Sequence, residues 1–278
     1  MKAGGMEIAG GGTGDRVGTG EKEANDLTEP SGCSITFLTK IQVEQNMNEN
    51  TLSSLSSQPD SGDLSKLADS SDIVQEYGSK MMELSKKIVV VLLKCLGDRL
   101  EFKYLDEFSQ CHGYLRINNY TPPEDIEAEG VEGLGMHTDM SCITILYQDA
   151  TGGLQMRSKE GDWVDLLSNE DALAVNIGDL LQAWSNGQLR SSKHRVILKQ
   201  PVNRLSVAFF WCFEDEKVIL APEDVVGGRK HRIYKPFVCL DYIKFRENTE
   251  KGRFDKVGYN INGFAAISAL NYDENMPT

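Results

Sequence analysis

The sequence predicts a mainly β domain, a sandwich or barrel with flanking helices. Three observations lead there. Between Cys111 and about Leu220, short runs rich in Val, Ile, Leu and aromatic residues alternate with Gly, Asn and Asp turns. Their starts recur about every 8–12 residues, the spacing of antiparallel all-β domains. On either side, over 72–96 and 237–248, the texture is helical instead. With 278 residues the chain can form one large domain or two modest ones around a substantial core.

Residues 1–63 hold ten Gly, seven Ser and a single aromatic residue, Phe37, with four basic residues against ten acidic ones. Such a segment buries too little apolar surface to offset its ordering entropy, so it reads as disordered and of low complexity. A short extended piece is expected at Ile35–Leu38. Residues 64–110 read as a helical unit. In it Ile73, Tyr77, Met81, Leu84, Ile88, Val91 and Cys95 recur at spacings of 4, 4, 3, 4, 3 and 4, one face of a helix that Gly97 ends. Strands are expected at 113–119, 142–148, 153–157, 163–166, 172–177, 193–199, 204–213 and 217–220. They make 111–248 the β domain, closed by the helix at 237–248. Residues 249–278 carry weak signals and read as a C-terminal tail.

Several function classes drop out on charge. The net charge of -13 argues against duplex nucleic acid or an anionic membrane as a partner, since both need a basic face. The six cysteines, at 33, 95, 111, 142, 212 and 239, are scattered without a C-x-x-C and read as reduced thiols. The longest apolar run, Ile88–Leu93, is far short of a membrane span. The N-terminus has no apolar signal region, so a reducing, cytoplasmic setting is expected.

There are four histidines, at 112, 137, 194 and 231. His137 and Asp139 stand two residues apart, so an extended backbone aims both side chains to one side. His194 opens another expected strand. Two imidazoles and one carboxylate, without a thiolate, are the ligand set of a facial-triad Fe(II) site, with open positions opposite. Arg204 and Ser206 share one face of the next strand. A guanidinium on an apolar strand needs a partner: a ligand carboxylate held in bidentate fashion, or one of the chain's own acids in a structural salt bridge. His112 and His231 read as surface or structural residues. Asp179 reads as a turn-capping residue, with a place beside the metal ligands as the alternative.

Residues 112–245 resemble the plant 2-oxoglutarate- and Fe(II)-dependent dioxygenases, in their gibberellin 20-oxidase-like branch. Seven pieces match in order: RINNYTPP from Arg116, HTD from His137 with ITIL from Ile143, GGLQ from Gly152, NIGD from Asn176, WSNG from Trp184, SKHRV from Ser192 and RLS from Arg204. The resemblance implies a double-stranded β-helix, or jelly roll. It implies His137, Asp139 and His194 as iron ligands, with Arg204 and Ser206 on the distal carboxylate of 2-oxoglutarate. Asn118 and Tyr120 fall where this family contacts the co-substrate. The family's usual N-Y-Y-P-P-C keeps Tyr120 here and loses the Cys. Met136 and Phe209 are the expected substrate-lining residues.

The implied reaction uses O2 and 2-oxoglutarate, with ascorbate as reductant, and releases succinate and CO2. It oxidises, by hydroxylation or similar, a small hydrophobic plant metabolite, with gibberellin-like compounds among the candidates. A monomer with a small-molecule substrate is expected. The alternative is a catalytically inactive, truncated dioxygenase-like protein that acts by interaction.

Overall fold

A computed structural model describes residues 36–40, 64–123, 130–227, 231–248 and 260–267. Eleven strands are found among them: β1 (Thr36–Lys40), β2 (His112–Tyr120), β3 (Val131–His137), β4 (Ile143–Gln148), β5 (Leu154–Arg157), β6 (Trp163–Asp165), β7 (Ala172–Ile177), β8 (His194–Leu198), β9 (Arg204–Cys212), β10 (Val218–Ile219) and β11 (Phe237–Val238). The helices are α1 (Leu64–Leu96), α2 (Leu100–Tyr104), α3 (Asp179–Trp184), α4 (Glu223–Val226), α5 (Cys239–Asn248) and α6 (Ile261–Ala265), with a 3-10 turn at Leu105–Phe108.

Two antiparallel sheets make the body. The larger has strand order β1-β7-β4-β9-β2 and the smaller β3-β8-β5-β6. Period-two alternation divides each strand between two environments. On the larger sheet Ile143, Ile145, Val175, Ile177, Phe209 and Trp211 face the main core, which also takes in Val89, Leu92 and Leu93 of α1. The opposite face carries Leu146 and Ala174, which meet Leu154, Val196 and Leu198 of the smaller sheet. The space between the sheets is therefore apolar at this level. The expected sandwich is present, and it is the jelly roll implied by the resemblance.

Helix α1 lies against β2, β4 and β9. Its buried stripe is Met81, Ser85, Val89, Leu92 and Leu93, whereas Val91 is 52% exposed and Cys95 is exposed as well. The stripe expected through Val91 and Cys95 is thus rotated. Ile88–Leu93 is apolar all round and leaves the buried side undetermined. Ser85 enters the core because its hydroxyl is satisfied by the Met81 carbonyl at 2.8 Å. The helix also begins at Leu64, ahead of the expected position 72.

The ends add two further pieces. Thr36–Lys40 pairs antiparallel with β7 and extends the larger sheet, overlapping the extended piece expected at Ile35–Leu38. The rest of 1–63 lies outside the described residues. Within the expected tail, α6 docks on the domain through Ile261 and Ala265, both fully buried. Its start is fixed by Asn260, whose side chain accepts from the Asn262 backbone N–H at 3.0 Å. Five residues are too few to show a period in sequence. The remainder of 249–278 lies outside the described residues.

One close approach positions the site. After β7, the Gly178, Asp179 and Leu180 N–H groups donate to the carbonyls of Cys142, Asp139 and Ser141 at 2.9, 2.8 and 3.2 Å. A Cβ on Gly178 would stand 2.0 Å from the Ser141 oxygen, so only glycine allows this contact. Gly178→Ala is expected to lose about 3 kcal/mol of stability by urea denaturation, the upper end of overpacking costs, because the obstacle is backbone. A loss under about 0.5 kcal/mol, the range of ordinary surface changes, would contradict this packing.

Candidate active site

His137 ends β3 and His194 begins β8, and the register sets the two opposite each other. Paired residues share a face, so both rings project to the same side, with centroids 4.2 Å apart. Leu134, Val196 and Leu198 of these strands pack between the sheets, which puts the imidazoles on the same inward side. Asp139 follows on the turn into β4. Its Oδ1 is 3.8 Å from His137 Nε2 and 3.5 Å from His194 Nε2. Ligand atoms of all three residues lie within 4.8 Å of one another, the one such group of His, Cys, Asp and Glu among the described residues.

These atoms fit a metal ion. Each imidazole has Nδ1 against a backbone carbonyl, Gly135 at 2.7 Å and Ser192 at 3.1 Å. A carbonyl can only accept, so Nδ1 carries the proton and Nε2 offers its lone pair. Asp139 Oδ2 is buried without a hydrogen-bond partner, an arrangement a cation would satisfy. Three clustered N and O donors without sulfur suit Fe(II) with further positions open.

The electrostatics agree. Burial, reinforced by His194, pushes His137 down to about 4, so this ring is neutral at pH 7. Burial works against the Asp139 charge, yet His194 and His137 hold its carboxyl well below the usual range. Burial also opposes a proton on His194, but Asp139 outweighs it and raises that ring. Metal binding would release such a proton.

Arg204 occupies the larger sheet, opposite the histidines. It is completely buried. Its Nε donates to the Gly152 carbonyl, Nη1 to Ser206 Oγ at 3.1 Å and Nη2 to Gln148 Oε1 at 3.0 Å. The guanidinium lies 5.0 Å from the centroid of the Tyr120 ring. Tyr120 and Asn118 stand directly across from Arg204 and Ser206 in the β2–β9 register. Among the described residues no carboxylate lies within ion-pair distance of Arg204. Burial lowers its pKa, but a guanidinium stays charged. Of the two partners open at the sequence level, the internal salt bridge is therefore not found. Gly153, at φ +91°, would place a Cβ 2.4 Å from the Ile197 carbonyl, so the Gly152–Gly153 turn can reach Arg204 only as glycine.

Of the two expected substrate-lining residues, Phe209 is placed elsewhere. Phe209 is on the face of β9 opposite to Arg204 and Ser206 and belongs to the helix-side core, against Gly113 and Met82. The odd-numbered positions of this strand face away from the sheet interface, which corrects the expectation. Met136 is half-buried with its sulfur 3.6 Å from Arg157 Nη1. Arg157 in turn lies beside Trp163, 5.9 Å from its ring centroid.

Phe210 is the β9 aromatic on the Arg204 face. It stacks on Tyr114 at 4.7 Å and 13°, and Tyr114 is 44% exposed. Counting by two from Arg204 would have found Phe210. Gln148 was also missed, since only the β4–β9 register brings it to Arg204. Asp179 takes the alternative reading: it is buried beside the ligand loop and accepts from Thr138 Oγ1 at 2.9 Å. His112 and His231 are exposed, as expected.

Facing antiparallel sheets, with such a triad on one and a buried arginine without a carboxylate partner on the other, form a sandwich of the jelly-roll class with a candidate metal site. Residues 112–213 match the 2OG-Fe(II) oxygenase superfamily and form a 2OG-Fe(II) oxygenase domain. The chain is 53% identical over 211 residues to a gibberellin 20-oxidase-like protein of Arabidopsis thaliana, covering 71% of this chain and 65% of that one. It is 36% identical over 178 residues to gibberellin 20 oxidase 3 of the same plant, covering 63% of this chain and 46% of that one. Among solved structures, the dioxygenase for auxin oxidation of rice superposes with a TM-score of 0.59 at 28% identity, covering 70% of this chain and 63% of that one. The chain thus spans just under two thirds of the first relative and about half of the second.

The depressed His137 has a consequence for pH. Unfolded, this ring takes a proton near 6.5; folded, only near 4. Its contribution to stability is complete above pH 6.5 and is lost as pH falls toward 4; the raised His194 has the opposite sign and acts above 6.5. Over that window the metal-free protein should lose up to about 3 kcal/mol more than His137→Gln in urea titrations. Identical pH profiles would contradict the assignment.

Proposed function

We propose that this chain is an Fe(II)- and 2-oxoglutarate-dependent dioxygenase acting on a small, largely apolar metabolite. The observation that carries the reading is Arg204: a buried cation without a carboxylate partner, facing the triad across the space between the sheets. His137, Asp139 and His194 would hold the metal through two Nε2 atoms and a carboxylate oxygen. Arg204 and Ser206 would take the distal carboxylate of 2-oxoglutarate, with Tyr120 over the guanidinium and Asn118 beside Ser206. Fe(II), with 2-oxoglutarate and O2, supplies the oxidation of an unactivated C–H bond coupled to formation of succinate and CO2.

The protein's share is placement. Gln148 and the Gly152 carbonyl fix the guanidinium, so its remaining donor directions are set before the co-substrate arrives. Leu154, Val196 and Leu198, buried between the sheets, would help keep water from the reacting atoms. Phe210 and exposed Tyr114 offer a stacked aromatic surface on the same face for the substrate body. Relatives named for gibberellin and auxin oxidation favour a plant hormone or related metabolite. A monomer in the cytoplasm, without nucleic-acid or membrane partners, suits the acidic charge of -13, and among the described residues no helix is long and apolar enough to cross a membrane. The inactive reading is not favoured, since triad, arginine and supporting hydrogen bonds occur together.

Incubation with Fe(II), ascorbate and 2-oxoglutarate, across gibberellin precursors and indole and phenolic acids, should give substrate-stimulated succinate that His137→Ala abolishes. Succinate at the buffer level with every compound would count against the reading. Arg204→Met should weaken anaerobic 2-oxoglutarate binding to the Mn(II)-loaded protein by at least about thirtyfold, because it removes one side of a buried ion pair. Mn(II) affinity should stay within about threefold. Unchanged 2-oxoglutarate affinity by calorimetry would remove Arg204 from the site.

A further inference from the structure

The ligand loop His137-Thr138-Asp139 is gripped from outside the β sandwich. Arg246, in the last turn of α5, is buried. Its Nη2 donates to the Thr138 carbonyl at 3.0 Å, and its Nη1 to Thr138 Oγ1 at 3.2 Å and to Asp179 Oδ2 at 2.7 Å. Tyr242, one turn earlier on α5, donates to the same carboxylate oxygen and accepts from Arg246 Nη1 at 2.9 Å. Asp179 in turn receives Thr138 Oγ1, and its own backbone N–H donates to the Asp139 carbonyl. One guanidinium therefore holds both main chain and side chain of the residue between two metal ligands. The aspartate it neutralises is bonded to the third residue of that loop.

We infer that Arg246 is a positioning residue for the metal centre, acting through Thr138 and Asp179 to set the mutual placement of His137 and Asp139. The inference rests on the proposed metal-binding role of the triad. A planar fork matches these partners, because Nη2 serves the Thr138 carbonyl while Nη1 serves the Asp179 carboxylate, whereas an ammonium presents its donors from one point. Groups that orient metal ligands from behind change metal affinity by about ten- to a hundredfold when lost. The long reach from α5, 107 residues beyond Asp139, also ties the helix to the state of the metal site. Coupling of that kind is reciprocal, so metal binding must stiffen α5 as α5 favours metal binding.

Two variants separate positioning from plain stability. Arg246→Lys keeps the charge beside Asp179 and loses the fork. The double variant Asp179→Asn/Arg246→Met removes both charges and leaves no uncompensated buried ion. Mn(II) affinity, read by electron paramagnetic resonance of the free ion, should fall about tenfold or more in each, beside a melting temperature of the metal-free protein within a few degrees of wild type. Affinity within twofold of wild type in a folded variant would overturn the inference. Should neither variant fold, wild-type amide exchange decides: Mn(II) should slow exchange in peptides covering 239–248 as well as 135–142, and an α5 unaffected by Mn(II) would overturn it. Wild type that binds no Mn(II) would instead overturn the metal reading itself, and this inference with it.

Discussion

His137 and His194 reach one carboxylate because β3 and β8 pair antiparallel with these two residues opposite each other. A slip of one residue would turn one ring to the outside of the sheet. The register is held by the apolar residues that share the inward face: Leu134 on β3, and Val196 and Leu198 on β8. Burying those side chains therefore also fixes the two imidazoles. The result, without a metal, is an awkward electrostatic arrangement. Asp139 is charged and buried with one oxygen unsatisfied, and His137 is driven neutral. A divalent cation would satisfy all three groups, so folding and metal binding reinforce each other.

The larger sheet contributes the complementary half. Its strand β9 divides its side chains between two tasks. Phe209 and Trp211 anchor the helical layer, while Arg204, Ser206 and Phe210 look toward the triad. A fully buried guanidinium hydrogen-bonded to neutral acceptors is costly, because its hydration is gone and the Asp149 charge acts on it without a direct ion pair. Such a group is retained where an anionic ligand completes it. The triad thus suits a cation and Arg204 a carboxylate, so a dicarboxylate that chelates the bound metal at one end could meet the guanidinium at the other.

Much of this was legible in the sequence because it is local. Strand alternation, the His-x-Asp pair, the Arg-x-Ser pair and their order along the chain predict a β sandwich with a triad and an arginine in need of a carboxylate partner, from a ligand or from the chain itself. What escaped is non-local or hidden by composition. Strand β3 reads poorly because Gly133 and Gly135 dilute it. Phe209 and Phe210 are adjacent and equally apolar, and only the parity counted from Arg204 distinguishes the core residue from the site residue. The buried stripe of α1 is hidden for a similar reason: it runs through Ser85, Val89 and Leu92, and the apolar neighbours Leu84, Ile88 and Val91 make an equally good period. Gln148 and Arg246 act through partners that only the pairing of distant elements brings near. Asp179 was ambiguous until its partner on α5 was in place.

The central claim is that triad and Arg204 are two ends of one chelate site. Anaerobic titration of the metal-free protein with Fe(II), then with 2-oxoglutarate, tests it without knowledge of the substrate. The account predicts a visible metal-to-ligand charge-transfer band that appears only with both components and is absent in His137→Ala. A folded wild-type protein that binds Fe(II) but develops no band at saturating 2-oxoglutarate would contradict it.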